Sequence, residues 1–242
     1  MSQASPLFFE RYELKFLINL EIKHDIIKYI ESFCEYDPFS KNSENNSYIV
    51  NSLYLDTFND LFYSNKSAGI GERFNMRIRS YGQDPRPPFF LEVKCKKNGF
   101  IKKYRSPVQL ENLNRFFSNT CNSEIQDRNL SIFLRLMTSY GAEPKVLTRY
   151  HRTALFSTLD DYGRITFDEN LQYQEENELN VKPSEDMMKN YDSENIFSRD
   201  RDVVLELKCH NNVPIWMIDL IKYFSLERTG FSKFYNSRRA LM

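Results

Sequence analysis

Apolar and charged positions alternate along much of this chain. In Arg11-Tyr12-Glu13-Leu14-Lys15-Phe16 a period of two sends Arg11, Glu13 and Lys15 to one face and Tyr12, Leu14 and Phe16 to the other, the mark of a half-buried strand. The same spelling returns in Arg77-Ile78-Arg79, Glu92-Val93-Lys94, Lys103-Tyr104-Arg105, at Arg152, in Arg164-Ile165-Thr166-Phe167-Asp168 and in Glu206-Leu207-Lys208. The pattern predicts strands over Phe8 to Ile18, Ser47 to Asp56, Arg73 to Tyr81 and Asp202 to Cys209. It also predicts two hairpins. Phe89 to Lys96 and Phe100 to Pro107 flank Asn98-Gly99, a strong hairpin-turn signal, and Val146 to Thr158 and Arg164 to Gln172 flank Asp161-Tyr162-Gly163.

Helical spacing interrupts the strands. Asn19 can cap a helix from Glu21 to about Cys34, with an apolar stripe at Ile22, Ile26, Ile27 and Ile30. Phe58 to Ser67 reads as a short helix. Gln109 to Tyr140 reads as two helices broken near Asn119 to Ser123. Pro214 begins a helix through Tyr223, and Ser232 to Met242 forms a short basic one. Gln172 to Arg201, acidic and polar, is expected as a long excursion outside the core.

Composition supports a strand-rich chain: 20 Phe and 15 Tyr stand against one Trp and seven Gly among 242 residues. One domain spanning residues 1 to 242 is expected. Lys plus Arg equals Asp plus Glu at 33 each, so the whole molecule has no field to attract nucleic acid, and any basic site must come from sorting charges in space. The cysteines Cys34, Cys95, Cys121 and Cys209 form no C-x-x-C pair, which argues against a zinc site and for a reducing compartment. Alternation turns Cys95 and Cys209 to the apolar side as small hydrophobes. No apolar run approaches a membrane span, so a cytoplasmic chain without direct membrane insertion is expected. His24, His151 and His210 stand in no catalytic or metal-ligand arrangement and read as structural or surface residues.

The repeated charged faces admit two arrangements. One is an ordinary antiparallel sheet with a solvated face. The other is a closed antiparallel β-barrel with a basic lumen, its outer apolar face covered by the helices. Solvated faces usually mix Thr, Ser and Gln with their charges, whereas these positions are mostly Arg and Lys with an occasional Glu. A lumen so lined requires a polyanion, because like charges at close range repel strongly, and phosphate chains suit guanidinium forks.

Taken together, Arg11-Tyr12-Glu13-Leu14-Lys15, Arg77-x-Arg79, Leu91-Glu92-Val93-Lys94, Ile101-Lys102-Lys103-Tyr104-Arg105, Tyr150-His151-Arg152-Thr153-Ala154, Arg164-x-x-x-Asp168, Leu205-Glu206-Leu207-Lys208 and Ser232-Lys233 resemble the VTC domain. This is the polyphosphate polymerase branch of the triphosphate tunnel metalloenzymes. The resemblance covers about residues 8 to 240 and implies an α+β fold: a closed antiparallel tunnel flanked by helices, holding ATP and inorganic polyphosphate with a divalent metal, usually Mn2+ or otherwise Mg2+. It implies catalytic phosphate grips at Lys15, Arg77, Arg79, Lys94, Arg152 and Arg164, and substrate contacts at Lys103, Tyr150, Ser232, Lys233, Arg11 and Lys208. Glu206 matches the metal ligand, with Glu13, Glu92 and Asp168 as further candidates. A carboxylate among such cations serves equally well to neutralise a neighbour. The superfamily's E-x-E-x-K on the first strand is broken here by Arg11, which favours the polymerase branch.

The implied activity is metal-dependent transfer of the ATP γ-phosphoryl group to polyphosphate. A tunnel-type triphosphatase or polyphosphatase and a non-catalytic polyphosphate-binding module remain alternatives, and a separate membrane partner stays open.

Overall fold

Strand β1 (Tyr12–Ile18) follows the expected alternation, with Phe16 and Ile18 buried and Glu13 and Lys15 half-buried on the opposite face. The computed structural model describes residues 12–97, 100–118, 126–191, 203–210 and 212–242. Arg11, Cys121, the Asn98-Gly99 turn, the break at 119–123 and residues 192–202 of the acidic stretch lie outside the described residues. The described residues gather into two compact units, one drawn from 12–47, 152–169 and 203–231, the other from 48–151, 170–191 and 232–242.

In the first unit β1 pairs antiparallel with β10 (Val203–Cys209), β10 pairs with β8 (Gly163–Glu175), and β7 (Glu143–Ser157) follows. The short β2 (Cys34–Tyr36) pairs with the end of β7. Phe16, Ile18, Ile165, Phe167, Leu205 and Leu207 make one apolar face. Ile26 and Ile30 of α1 (Leu20–Ile30) and two buried side chains, Met217 and Leu220, of α6 (Ile215–Tyr223) belong to the same core. Burying each such side chain contributes roughly 1.5–3 kcal/mol over leaving it exposed. The Asn19 side chain caps α1, accepting from the Ile22 N–H at 2.8 Å. The helix stops at Ile30, short of the predicted Cys34, because its apolar stripe ends there and Cys34-Glu35-Tyr36 pairs as a strand.

The second unit is built on β3 (Tyr48–Asp56), β4 (Arg73–Tyr81), β5 (Phe89–Lys97) and β6 (Phe100–Val108), all antiparallel in that order, with β7 beside β3. β5 and β6 pair antiparallel as far as Lys97 opposite Phe100, so these two strands form the expected hairpin pairing. Leu53, Leu55, Met76, Ile78, Leu91 and Val93 share a core with Leu113 and Phe116 of α4 (Leu110–Phe117) and with Phe133 and Met137 of α5 (Arg128–Tyr140). The smaller helices are α2 (Pro38–Lys41) in the first unit and α3 (Leu61–Ser67) and α7 (Lys233–Leu241) in the second. The expected excursion begins later than Gln172. Tyr173 is fully buried, so β8 continues to Glu175 and pairs with β9 (Lys189–Asn190).

The fold is an antiparallel sheet with flanking helices, and its hydrogen-bonded order is an open path from β1 to β6. Among the described residues no ladder joins those two strands, so the closed barrel is corrected to an open sheet. Alternation reads the same for either arrangement. Proline is confined to edge strands and bulges, and Pro107 with the neighbouring cations marks β6 as an edge. No helix among the described residues is long and apolar enough to cross a membrane. Burial pushes the Cys34 thiol up to about 12 and raises those of Cys95 and Cys209, in keeping with small core hydrophobes.

Candidate functional site

Strand register in the second unit brings its cations together. Tyr54, Arg77, Glu92 and Arg105 form one cross-strand row over β3 to β6, and Ser52, Arg79 and Phe90 form the next. Glu92, only 1% exposed, is the hub. Arg77 donates to it through Nε at 2.7 Å and places Nη2 at 2.6 Å. The Lys103 ammonium lies 2.6 Å away, Arg105 Nε 3.4 Å and Arg79 Nη1 4.0 Å. Two tyrosines accept from the same guanidinium groups, Tyr54 from Arg77 at 3.3 Å and Tyr150 from Arg79 at 3.4 Å. Lys233, at the start of α7, sits 4.3 Å above the Tyr150 ring.

Around this one carboxylate stand four cations, Arg77, Arg79, Lys103 and Arg105. The imbalance shows in the protonation equilibria. Burial alone would raise Glu92, yet Arg77, Arg79 and Lys103 hold it well below the usual carboxylate range. Lys103 is driven well below the usual lysine range, by burial first and then by repulsion from Arg79 and Arg77, against the pull of Glu92. Its side chain keeps 37% exposure, which tempers the burial contribution and leaves the two guanidinium charges as the firmer cause. Tyr54 and Tyr81 are lowered although burial works the other way, Tyr54 by Arg77, Arg79 and Lys233, and Tyr81 by Arg79 and Arg105. Like charges face each other across the strands: Lys94 is opposite Lys103 and Arg73 is opposite Lys96, placements that repel in a sheet. The buried Arg79 Nε has no acceptor among the described residues. Such an arrangement can bind a multivalent oxyanion.

The first unit has its own charged face. Lys15 is paired with Glu206 across β1 and β10 at 3.9 Å and donates to the Phe231 carbonyl at 3.1 Å. Lys208 lies 3.2 Å from the other Glu206 oxygen. Arg164, opposite Lys208 in the register, donates to Asp37 at 3.1 Å, and Asp37 also caps α2 by accepting from the Ser40 N–H. Arg152 forms a buried two-bond fork to Asp168 at 2.6 and 2.7 Å.

Of the residues marked in the sequence, Arg77, Arg79, Lys103, Tyr150 and Lys233 share one cluster, with Lys94 facing Lys103 in the register. Lys15, Glu206 and Lys208 share another, while Arg152 and Arg164 each sit in a separate ion pair. Ser232 is the N-cap of α7, its Oγ accepting from the Tyr235 N–H at 3.4 Å. Arg105, Tyr54, Tyr81 and Asp37 were not marked. Arg105 and Tyr54 are in phase with Arg77 once the strands are aligned, so register would have found them. Asp37-Pro38 carries a helix N-cap signature but no sign of its bond to Arg164.

A divalent metal is implied by the fold family, and the oxygen donors fit one unevenly. Glu92 and Asp168 are committed to cations, and Glu13 lies opposite Lys208. Glu206 also has lysines beside it, at 3.2 and 3.9 Å, and differs in standing opposite Thr166, whose buried hydroxyl has no hydrogen-bond partner among the described residues. No group of three or more His, Cys, Asp or Glu able to hold a metal occurs among the described residues. A hard cation bound through one carboxylate, with phosphate and water completing its shell, agrees with that donor set.

The VTC domain profile matches residues 10–242. No curated protein matches the sequence. A putative adenylate cyclase from Bacillus halodurans, 11% identical, aligns with a TM-score of 0.54 over 93% of this chain and 94% of that one. A putative adenylyl cyclase from Hippeastrum, described as having a dominant triphosphatase activity, is 13% identical with a TM-score of 0.51 over 96% of each chain. At such identities these structures establish the fold alone, while the profile spans nearly the whole sequence. The chain belongs to the VTC domain family.

Proposed function

We propose that this chain is a polyphosphate polymerase that moves the γ-phosphoryl group of ATP onto the end of a growing polyphosphate. The reading is supported above all by the Glu92-centred cluster, where guanidinium and ammonium groups, that of Arg79 buried and the others partly exposed, outnumber their single buried carboxylate. Arg77, Arg79, Lys103, Tyr150 and Lys233 grip phosphate oxygens. Lys15, Lys94, Arg152, Arg164, Lys208, Arg11 and Ser232 have the roles their family positions imply. Glu206 holds Mn2+ or Mg2+, which when bound supplies charge neutralisation at phosphate oxygens.

In the transfer, a terminal oxygen of the acceptor chain forms a bond to the γ-phosphorus as the bond to the ADP oxygen breaks, and the electron pair leaves with ADP. An acceptor phosphate oxygen is already ionised near neutral pH, so no strong base is needed. Positioning and charge stabilisation carry the rate. That requirement agrees with a site rich in fixed cations.

A hydrolase is the second reading, favoured by the triphosphatase activity described for the Hippeastrum protein of the same fold. The phosphate grip is common to both, and the acceptor would then be water. Incubation of the purified chain with ATP and Mn2+, followed by gel electrophoresis, separates them. A ladder of lengthening chains is expected. Phosphate release without chains would establish the hydrolase, and bound but unreacted nucleotide would establish a binding module.

A further inference from the structure

Helix α7 carries Lys233 in its first turn and is fastened at its far end to the start of α3. Arg238 donates Nε to Asp60 Oδ1 at 2.9 Å and Nη2 to Asp60 Oδ2 at 2.8 Å, a planar fork, and its Nη1 lies 3.5 Å from Glu175. The two side chains of the fork are 13% and 16% exposed. Asp60 is itself held in place: its backbone is left-handed at φ 54, and the adjoining turn is closed by the buried Asp56 carboxylate, which accepts from the N–H groups of Thr57, Phe62 and Tyr63. Along α7, Phe234 stacks on Tyr54 at 5.2 Å, and Tyr235 stacks on Tyr63 at 5.0 Å with its hydroxyl 3.4 Å from Ser67 Oγ. A nine-residue helix is not stable by itself, so its position depends on these contacts.

We propose that the Asp60–Arg238 fork is a positioning device that holds Lys233 over Tyr150, so that a pair outside the cation cluster sets the affinity for oligophosphate. The inference rests on the reading of Lys233 as a phosphate contact. Arg238 is five residues beyond Lys233, roughly 7–8 Å along the helix, and acts through the helix rather than on the ligand. Removing the fork leaves α7 held by the aromatic stacks, the core contacts of Phe234 and Leu241 and the single Tyr235–Ser67 contact, which permit sliding and rotation that a two-bond fork forbids.

The test is calorimetric titration of tripolyphosphate into the parent, Lys233→Ala, Arg238→Ala and the double variant, with hydrogen exchange on the first and third. Arg238→Ala is expected to weaken binding roughly five- to tenfold in the parent and less than about twofold in the Lys233→Ala background, the coupling that a shared device produces. Exchange should quicken over residues 233–241 and stay as in the parent over β3 to β6. Parent-like affinity of Arg238→Ala, or losses that multiply independently of Lys233, would overturn the proposal. If Lys233→Ala itself binds as the parent does, the phosphate role of Lys233 fails and the positioning role fails with it. Should Arg238→Ala not fold, the isosteric Asp60→Asn carries the same expectations.

Discussion

Glu92 is the residue on which the basic cluster turns. A carboxylate 1% exposed and in contact with Arg77, Lys103 and Arg105 cannot be removed without taking the shared counter-charge from three crowded cations, of which Arg77 is half-buried. Glu92→Gln is therefore expected to lower stability by about 3–5 kcal/mol, measured by urea unfolding at pH 7; a loss under about 1 kcal/mol would contradict the assignment. The Glu92 contribution is present above the unfolded carboxylate pKa and is lost as pH falls through its depressed folded value. Lys103 has the opposite linkage. Its folded pKa is lowered, so between the folded and unfolded values the unfolded chain holds a proton that the folded chain lacks, and stability rises with pH through that window. A bound oligophosphate favours the charged ammonium, so binding takes up a proton there and affinity falls as pH rises. Titrations with tripolyphosphate at alkaline pH, in two buffers of different ionisation enthalpy, should give different observed heats. Equal heats would show that Lys103 does not change its protonation.

At the scale of elements, facing strands bring like charges together. Lys94 on β5 is opposite Lys103 on β6, a pairing that costs about 0.2–1 kcal/mol in a sheet. Lys94→Glu should recover an amount of that order in urea unfolding and weaken tripolyphosphate binding in the same preparation. A variant that gains stability and keeps parent affinity would place Lys94 outside the binding surface. The alternation that carries these charges was legible in the sequence, and so were most strands, because period-two burial demands an apolar residue at every second position. The sequence was less informative where an element's end depends on a distant partner. The extension of β8 past Gln172 depends on the burial of Tyr173, and the end of α1 depends on the pairing of Cys34 with Ser157. The Glu92 hub was hidden for a related reason: Arg77, Lys103 and Arg105 are spread over 28 positions, and only register places them around one carboxylate.

For the molecule as a whole, equal numbers of acidic and basic residues conceal a sorted distribution. Each compact unit has an apolar sheet face sharing a core with helices and a charged face where cations gather around few carboxylates. Closure of the sheet was the feature that alternation could not resolve, since an inward face and an outward one share a period. Affinity for tripolyphosphate should fall as salt rises, because the attraction is local and electrostatic. The central claim, that the Glu92-centred cluster is an oligophosphate site, is tested most directly by titrating tripolyphosphate into the parent and Arg79→Ala at one fixed ionic strength. A parent dissociation constant in the micromolar range or tighter, weakened by about tenfold or more in Arg79→Ala, is the predicted result, as expected for a lost charge-assisted bond. Equal affinities, or no binding by the parent, would contradict it.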